Sequence, residues 1–591
     1  MRVADYIFKT LADRGVKHAF LVVGGGAMQL NDALRLETRI TPVCCHHEQG
    51  CAIAAEGYFR ASGNLPVVSV TTGPGGTNAL TGVIGAWLDS IPMLVISGQV
   101  KFETTTASCP QLGLRQLGDQ EINIIDIVKP VTKYAAMVTD PLKIGEMLAR
   151  ALHEATTGRP GPVWLDVPLN VQGALLPKDY APSFDVTPTC TSSSSFPVNE
   201  FLSALKEAKR PVLLAGHGIT LAGAEREFFS FAENCGIPIL TTFNGFELIP
   251  ADHPLYFGRI GTIGQRRANF VLQNADLLIS LGSRNNIRQI SYNWENYAKN
   301  AKTISVDIDE KELNKPTFIP DIAIAADVKT FLSALPQTPV NPTTFATWRE
   351  WCERIRSKYP VHTEDQKICP DGVNPYHMTA VLSTFCPADA AIAIGNGTVS
   401  IAAFQTWEVK KGQRIFCNSG CASMGYDLPA SLGAAVATGR LTVCLAGDGS
   451  LMMNLQELST VLYRRLPMKI FLFDNEGYTS IRQTQGNLFS PTFIGCDKGS
   501  GVGFPDFSRL AEALGFRVSK ITRHSEIEPV LAHVFSTRDP EFIVVKIPPQ
   551  LGFSPKLSAR RLPDGKMISP SLEDMFPFLD RVEMEQNICR I

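Results

Sequence analysis

An α/β architecture of three doubly wound parallel-sheet domains is predicted, on three observations. Short β-branched runs ending in glycine turns alternate with helical stretches, the pattern of parallel strands covered on both faces. Two segments rich in proline, serine and threonine interrupt that alternation: Ala181 to Pro197, and PQTPVNPTT after Leu335. The 591 residues, at about 150 per domain, fill three or four cores.

The blocks follow in order. Residues 1–180 carry strands at Ile40 to Cys45, Val67 to Thr71, Pro92 to Ser97 and Pro162 to Val167, with a GPGG turn and a helix after the second. Residues 196–336 carry RPVLLAGHG, PILTTF, ADLLISLG and AKTISVDID, again apolar runs closing on glycine or aspartate. Residues 369–550 carry AAIAIGNG, LTVCLAGDGS, MKIFLFDNEG and FIVVKIP, and a polar tail, 551–591, remains.

Composition removes several function classes. Hydrophobic residues at 45% and charged residues at 19% describe a globular chain. Fifty-five basic against 57 acidic side chains leave a charge of −2, which gives no electrostatic reason for a nucleic-acid or acidic-membrane partner. No apolar run approaches the roughly 20 residues that span a bilayer; the most apolar, Ser431 to Ala446, is broken by Arg440. MRVADYIFKTLADRGVKHAF reads as an amphipathic helix without a signal peptide's apolar centre, so a cytoplasmic protein is expected. The 14 cysteines include no CxxC pair and are expected to be buried thiols, not zinc ligands or disulfides.

Two places carry chemistry. One apolar strand ends at Gly447-Asp448-Gly449 and a second at Asp474-Asn475, with 25 residues between Gly449 and Asn475. That length allows one helix and one strand, so both ends reach the same edge of a parallel sheet, where ligands bind. Asp448 and Asn475 offer hard oxygens suited to Mg²⁺, and the glycines let phosphates approach the backbone. Ordinary strand-end turns use the same residue types. The second place is Glu48, which follows a short strand and opens an apolar helix; such a carboxylate is either a helix cap or a catalyst.

The spaced GDG and Asn resemble the signature of enzymes dependent on thiamine diphosphate. That resemblance implies a metal held by Asp448, Asn475 and the carbonyl of Gly477. CCHHEQGCAIAAEGYFRASG resembles the HEQ segment of the acetolactate synthase family, which makes Glu48 the acid that bonds the cofactor's aminopyrimidine and favours its imino tautomer. TTGPGGTNALTG, SGCASMGYDLPASLGAA and GRPGPVWLDVP match further family strings, so the resemblance runs from about residue 1 to 550. It implies thiamine diphosphate contacts at Gly25, Gly26, Glu48, Pro74, Asn78, Gly397, Thr398, Ser423, Met424, Gly447, Asp448, Gly449, Ser450, Asn475, Gly477 and Tyr478, with Met424 as the wedge beneath the bent cofactor. The three domains become, by the same match, pyrimidine-binding, central FAD-type and diphosphate-binding. The middle block resembles the family's FAD domain, where flavin is not a redox partner; it implies FAD contacts at Arg159, Gly261, Thr262, Arg284, Asp307 and Asp327. A flavin-free domain, as in simple decarboxylases, is the alternative.

The chain also departs from that family. After Gly98-Gln99-Val100 comes a longer loop, then Asp119-Gln120-Glu121 where the family has Phe-Gln-Glu; Gln120 keeps the glutamine that faces the reacting carbon. Leu169 stands where the family has lysine, and Thr484 where it has the tryptophan of RQWQ. A roomier, more polar pocket suits an acceptor larger than a second pyruvate. The expectation is a carboligase that decarboxylates pyruvate and passes the two-carbon unit to a carbonyl acceptor. Carboligases that attach this unit to a nucleotide-linked ketosugar, making branched sugars, share such departures. Alternatives are an authentic acetolactate synthase, a cyclic-diketone hydrolase, an FAD-dependent pyruvate oxidase and, least favoured, a non-enzymatic homologue. Thiamine diphosphate, Mg²⁺ and FAD are the expected cofactors, in a homodimer or homotetramer whose active sites lie at the subunit interface.

Overall fold

Each of the three blocks folds into a six-stranded sheet. The computed structural model describes residues 1–181, 196–489, 492–561 and 564–590; the linker expected from Ala181 to Pro197 lies for the most part outside them. The first sheet contains β1 (His18–Leu21), β2 (Thr41–Cys44), β3 (Val67–Val70), β4 (Met93–Gln99), β5 (Tyr134–Met137) and β6 (Pro162–Pro168). The second holds β7 (Pro211–Ala215), β8 (Ile239–Thr241), β9 (Tyr256–Arg259), β10 (Leu277–Leu281), β11 (Lys302–Asp307) and β12 (Ile322–Ala325). The third holds β13 (Ala391–Ile394), β14 (Arg414–Phe416), β15 (Thr442–Gly447), β16 (Met468–Asp474), β17 (Arg517–Ile521) and β18 (Glu541–Lys546). Every pairing within these sheets is parallel.

Strand order decides where ligands can bind. The first sheet runs β2-β1-β3-β4-β6-β5 and the third β14-β13-β15-β16-β18-β17, the same order in each. Both reverse direction beside their first strand, so a crevice opens between β1 and β3 and again between β13 and β15. The middle sheet runs β12-β11-β10-β7-β8-β9. Read from β9 it is the 3-2-1-4-5-6 order of dinucleotide-binding sheets, with its crevice between β7 and β10.

The outer sheets are joined through two helices. Glu48–Ser62 crosses Asp427–Thr438 so closely that a Cβ on Gly57 would lie 2.1 Å from the Ala430 carbonyl oxygen. A Cβ on Gly433 would lie 1.8 Å from the Ala54 carbonyl oxygen, so glycine at both positions is what lets the backbones touch. Beside this crossing Arg60 pairs with Glu56 at 2.9 Å and with Asp89 at 2.8 Å, all three buried. Burial pushes the Glu56 carboxyl up to about 7 despite the arginine. Tyr426 donates to Glu56, and the Gly420 amide donates to Asp89, so the cluster ties the first sheet to the third. Replacing Arg60 by alanine strands two buried carboxylates, and a loss of about 3–5 kcal/mol in unfolding free energy is expected. Thermal or denaturant unfolding measures it; a loss under about 1 kcal/mol would show that these ion pairs contribute no more than exposed ones.

Tail residues described from 551 onward lie across the middle sheet: Leu557 N donates to the Thr262 carbonyl, and Arg266 to the carbonyls of Met575 and Pro577. Among the described residues no helix is long and apolar enough to cross a membrane.

Candidate active site

The crevice of the third sheet gathers the acidic motif. β15 and β16 pair with Gly447 opposite Phe473, so Asp448 and Asn475 leave neighbouring strand ends side by side. Asp448 is buried; Oδ1 accepts from Gly449 N at 2.6 Å, and Oδ2 accepts from Gly477 N at 2.9 Å and Asn475 N at 3.2 Å. Burial pushes its carboxyl up to about 6, against those backbone donors. The amide oxygen of Asn475 faces two further oxygens, the Gly477 carbonyl at 2.6 Å and Asp448 Oδ2 at 3.3 Å, while its nitrogen donates to Thr398. Oxygens so gathered either need the amide turned over, which would pair them, or a cation between them. Asp, Asn and carbonyl are a donor set that fits Mg²⁺.

Backbone shape completes this crevice. Gly477 takes φ 135°, and Gly397, φ 99°, leads into the helix Thr398–Thr406. Nothing lies within 4 Å of where a Cβ on Gly397 or Gly447 would sit, and that open floor meets a helix N-terminus. The Tyr478 ring lies against Gly449, whose Cβ would come 2.0 Å from it. Ser450 accepts from Gly425 N at 2.9 Å, and Ser423 is held by Asn396 and Asn418 at 2.8 Å each, which places the half-buried Met424 beside the same turn.

The crevice of the first sheet holds Glu48. The helix it opens is capped by His47, whose Nδ1 accepts from Gln49 N at 3.0 Å, so the cap reading of Glu48 fails. Glu48 Oε2 instead accepts from Asn78 Nδ2 at 3.0 Å, and a Cβ on Gly75 would come 3.6 Å from Oε1. Glu48 is 8% exposed. Gly26 N donates to Thr71 Oγ1 at 3.1 Å, and a Cβ on Gly26 would lie 1.8 Å from Thr72 Oγ1; Gly25 has open space in that direction. Pro74 starts the short helix Pro74–Asn78. Gln120 takes φ 60° and sets its carbonyl oxygen 2.2 Å from where a Cβ on Gly73 would be. Glu121 holds the long loop beneath it, accepting from Thr106 N, Thr106 Oγ1 and Leu117 N.

The crevice of the middle sheet opens into a cavity of about 420 Å³ where all three blocks meet. Arg159, Arg284, Asp307 and Asp327 line it, with Ser90 from the first block and Ser419 from the third. Gly261 and Thr262 do not line it; Gly261 N donates to Asn269, and Thr262 Oγ1 to the Arg288 carbonyl. Burial pushes Asp307 up to about 6. Arg159 already spends Nη1 on Asp309 and Glu312, at 2.9 and 2.8 Å. Both ring nitrogens of His217, another lining residue, lack a partner.

Three descriptions of known families match the chain. They are the thiamine pyrophosphate enzyme N-terminal TPP binding domain over residues 1–126, the central domain over 198–335, and the C-terminal TPP binding domain over 395–545. The acetolactate synthase isozyme 2 large subunit of Escherichia coli (strain K12) is 33% identical over 551 residues, 93% of this chain and 96% of that protein. This chain belongs to the acetolactate synthase family of thiamine pyrophosphate enzymes. The acetolactate synthase large subunit of Corynebacterium glutamicum is 32% identical, covering 92% of this chain and 86% of its own. Acetolactate synthase 1, chloroplastic, of Oryza sativa subsp. japonica is 30% identical, covering 93% and 85%.

As a thiamine pyrophosphate enzyme the chain uses the cofactor also called thiamine diphosphate. The acetolactate synthase fold brings Asp448, Asn475, Gly477, Gly397 and Thr398 to one crevice, and Glu48, Asn78, Pro74, Gly25 and Gly26 to another. Glu457 carries no sequence signal: its Oε1 accepts from His46 N at 3.0 Å and His47 N at 3.2 Å, fixing the turn before Glu48 from 410 residues away. Asp427, bonded to Ser450, was also invisible, since a buried aspartate in an apolar helix reads as an ordinary helical residue.

Proposed function

We propose that this acetolactate-synthase-family enzyme decarboxylates pyruvate and joins the remaining two-carbon unit to a carbonyl acceptor larger and more polar than a second pyruvate, such as a nucleotide-linked ketosugar. The observation that carries the reading is Thr484. It lies on the exposed side of the helix Thr479–Leu488 that follows the Asn475 and Gly477 turn, with its hydroxyl bonded back to the Ser480 carbonyl at 2.9 Å. A small side chain folded onto its own helix leaves space where a tryptophan would wall the pocket.

Bound thiamine pyrophosphate supplies an electron sink that lets carbon dioxide leave a 2-oxo acid. Asp448, Asn475 and the Gly477 carbonyl would hold Mg²⁺, and the Gly397-Thr398 turn would receive the diphosphate. Glu48, oriented by Asn78, would share a proton with a ring nitrogen of the pyrimidine. The loop carrying Gln120 would cover the reacting carbon and keep water away. FAD fits the central cavity as a bound group: the strand order is that of dinucleotide binders, the volume lies within the common range of about 300–1,000 Å³ for ligand pockets, and Asp307, at the end of β11, lines it with polar oxygens.

Exposed apolar surfaces beside the two crevices support a working unit of at least two chains. Val23 and Met28 beside the first crevice, and Met452, Met453 and Ile481 beside the third, are exposed apolar side chains that a second copy would cover. A cytoplasmic location is part of the same proposal.

The test is a product screen with pyruvate as donor and acceptors running from small 2-oxo acids to nucleotide ketosugars. A larger ketone is expected to outcompete a second pyruvate. Acetolactate as the main product beside every acceptor would make this an authentic acetolactate synthase. Anaerobic bleaching of flavin by pyruvate at the rate of turnover would make it an oxidase.

A further inference from the structure

Away from all three crevices, three arginines converge on a second cavity of about 430 Å³ between the middle and third sheets. Arg259 ends β9, Arg267 lies in the first turn of the helix Arg266–Asn274, and Arg356 lies near the end of the helix Ala346–Lys358. Gln265, which precedes the first of these helices and also lines the cavity, offers no side-chain cap to it, so the amides of Arg266 and Arg267 are left for another acceptor.

The charge balance around Arg267 is incomplete. Arg259 is 2% exposed and donates to the carbonyls of Phe404 and Trp407, capping the helix Thr398–Thr406, where a cation is stabilised. Arg356 pairs with Glu353 at 2.7 Å. Arg267 makes no hydrogen bond or ion pair among the described residues, and its Nε, like that of Arg259, is buried without an acceptor. Burial first, with Arg259 and Arg356 beside it, lowers its guanidinium to about 10 against the opposing effect of Tyr256 and Glu408. Asp252 and Glu408 line the cavity as well, and both are exposed. A guanidinium with a buried, unpaired Nε and like charges beside it is stabilised by an anion that accepts several N–H bonds at once.

We propose that this cavity is a phosphate-binding site centred on Arg267, with Arg259 and Arg356 flanking it and the open helix start supplying backbone donors. Phosphate suits it because guanidinium forks and helix N-terminal amides both match tetrahedral oxyanions. A smaller cavity of about 230 Å³ adjoins through Gln265 and Val361 and is lined by Tyr359, Pro555 and Pro577, giving room for an organic group on the phosphate. The ligand class is therefore inorganic phosphate or a phosphate monoester.

The experiment is calorimetric titration of the full chain, saturated with thiamine pyrophosphate and magnesium so that the diphosphate crevice is filled. Inorganic phosphate and a sugar phosphate are titrated separately in chloride buffer. Saturable binding is expected, weakened at least about tenfold in Arg267→Gln. Tighter binding of the monoester assigns an organic phosphate and equal binding assigns the free ion; either supports the site. Wild-type protein without saturable binding, or Arg267→Gln binding phosphate as tightly as wild type, overturns it. Should Arg267→Gln not fold, Glu408→Gln decides. Removing that competing carboxylate is expected to tighten phosphate binding, and unchanged affinity would show that Arg267 does not receive the anion.

Discussion

Glu48→Gln is expected to slow carbon–carbon bond formation by about 10²- to 10⁴-fold, the range for loss of a positioned acid–base group, while thiamine pyrophosphate remains bound. Glutamine keeps the size of the side chain and can still meet Asn78, which donates to Glu48 Oε2 at 3.0 Å. What it lacks is a carboxyl able to share a proton with a ring nitrogen. His47, not Glu48, caps the helix, so the substitution leaves helix stability almost unchanged and the loss falls on turnover. Carbon dioxide release and product formation at saturating pyruvate measure it, with cofactor content of the purified variant as control. Turnover equal to wild type, cofactor present, would remove Glu48 from the chemistry.

Much of this architecture could be read from local patterns. A strand that must be buried on both faces is written in β-branched runs, and its carboxyl end in glycine and aspartate, so LTVCLAGDGS and MKIFLFDNEG place β15 and β16 with their chemistry attached. The order of strands is a long-range property. Nothing local says that the first and third sheets share one order while the middle sheet follows another, and that difference sets the middle crevice apart from the other two. The turn before Glu48 shows the same limit: His46 and His47 are fixed by Glu457, which looks like any polar residue opening a helix. Gly57 and Gly433 read as helix-weakening residues until the two backbones are seen to touch. Side-chain volume at Thr484 was legible, but that its hydroxyl turns back onto Ser480 required the helix itself.

Asp448→Ala is expected to lower the magnesium-dependent affinity for thiamine pyrophosphate by at least about 100-fold, because a charged ligand disappears from a set that otherwise offers only an amide and a carbonyl. The same carboxylate accepts from the amides of Gly449, Asn475 and Gly477, so its loss also loosens the turn that presents the other two oxygens. Equilibrium dialysis of the cofactor with and without magnesium reads the effect; an unchanged affinity would place the metal elsewhere. The variant also tests whether Glu48 and Asp448 of one active site belong to different chains. Glu48→Gln and Asp448→Ala chains, each inactive alone, are mixed and allowed to exchange subunits. If every site draws one residue from each chain of a dimer, a hybrid keeps one intact site of its two. An equal mixture should then recover about a quarter of wild-type activity per chain, since half of randomly paired dimers are hybrids. If both residues serve a site within one chain, no hybrid contains an intact pair and the mixture stays inactive. Recovery near a quarter would give the exposed Val23, Met28, Met452 and Met453 their partner, a second copy of this chain.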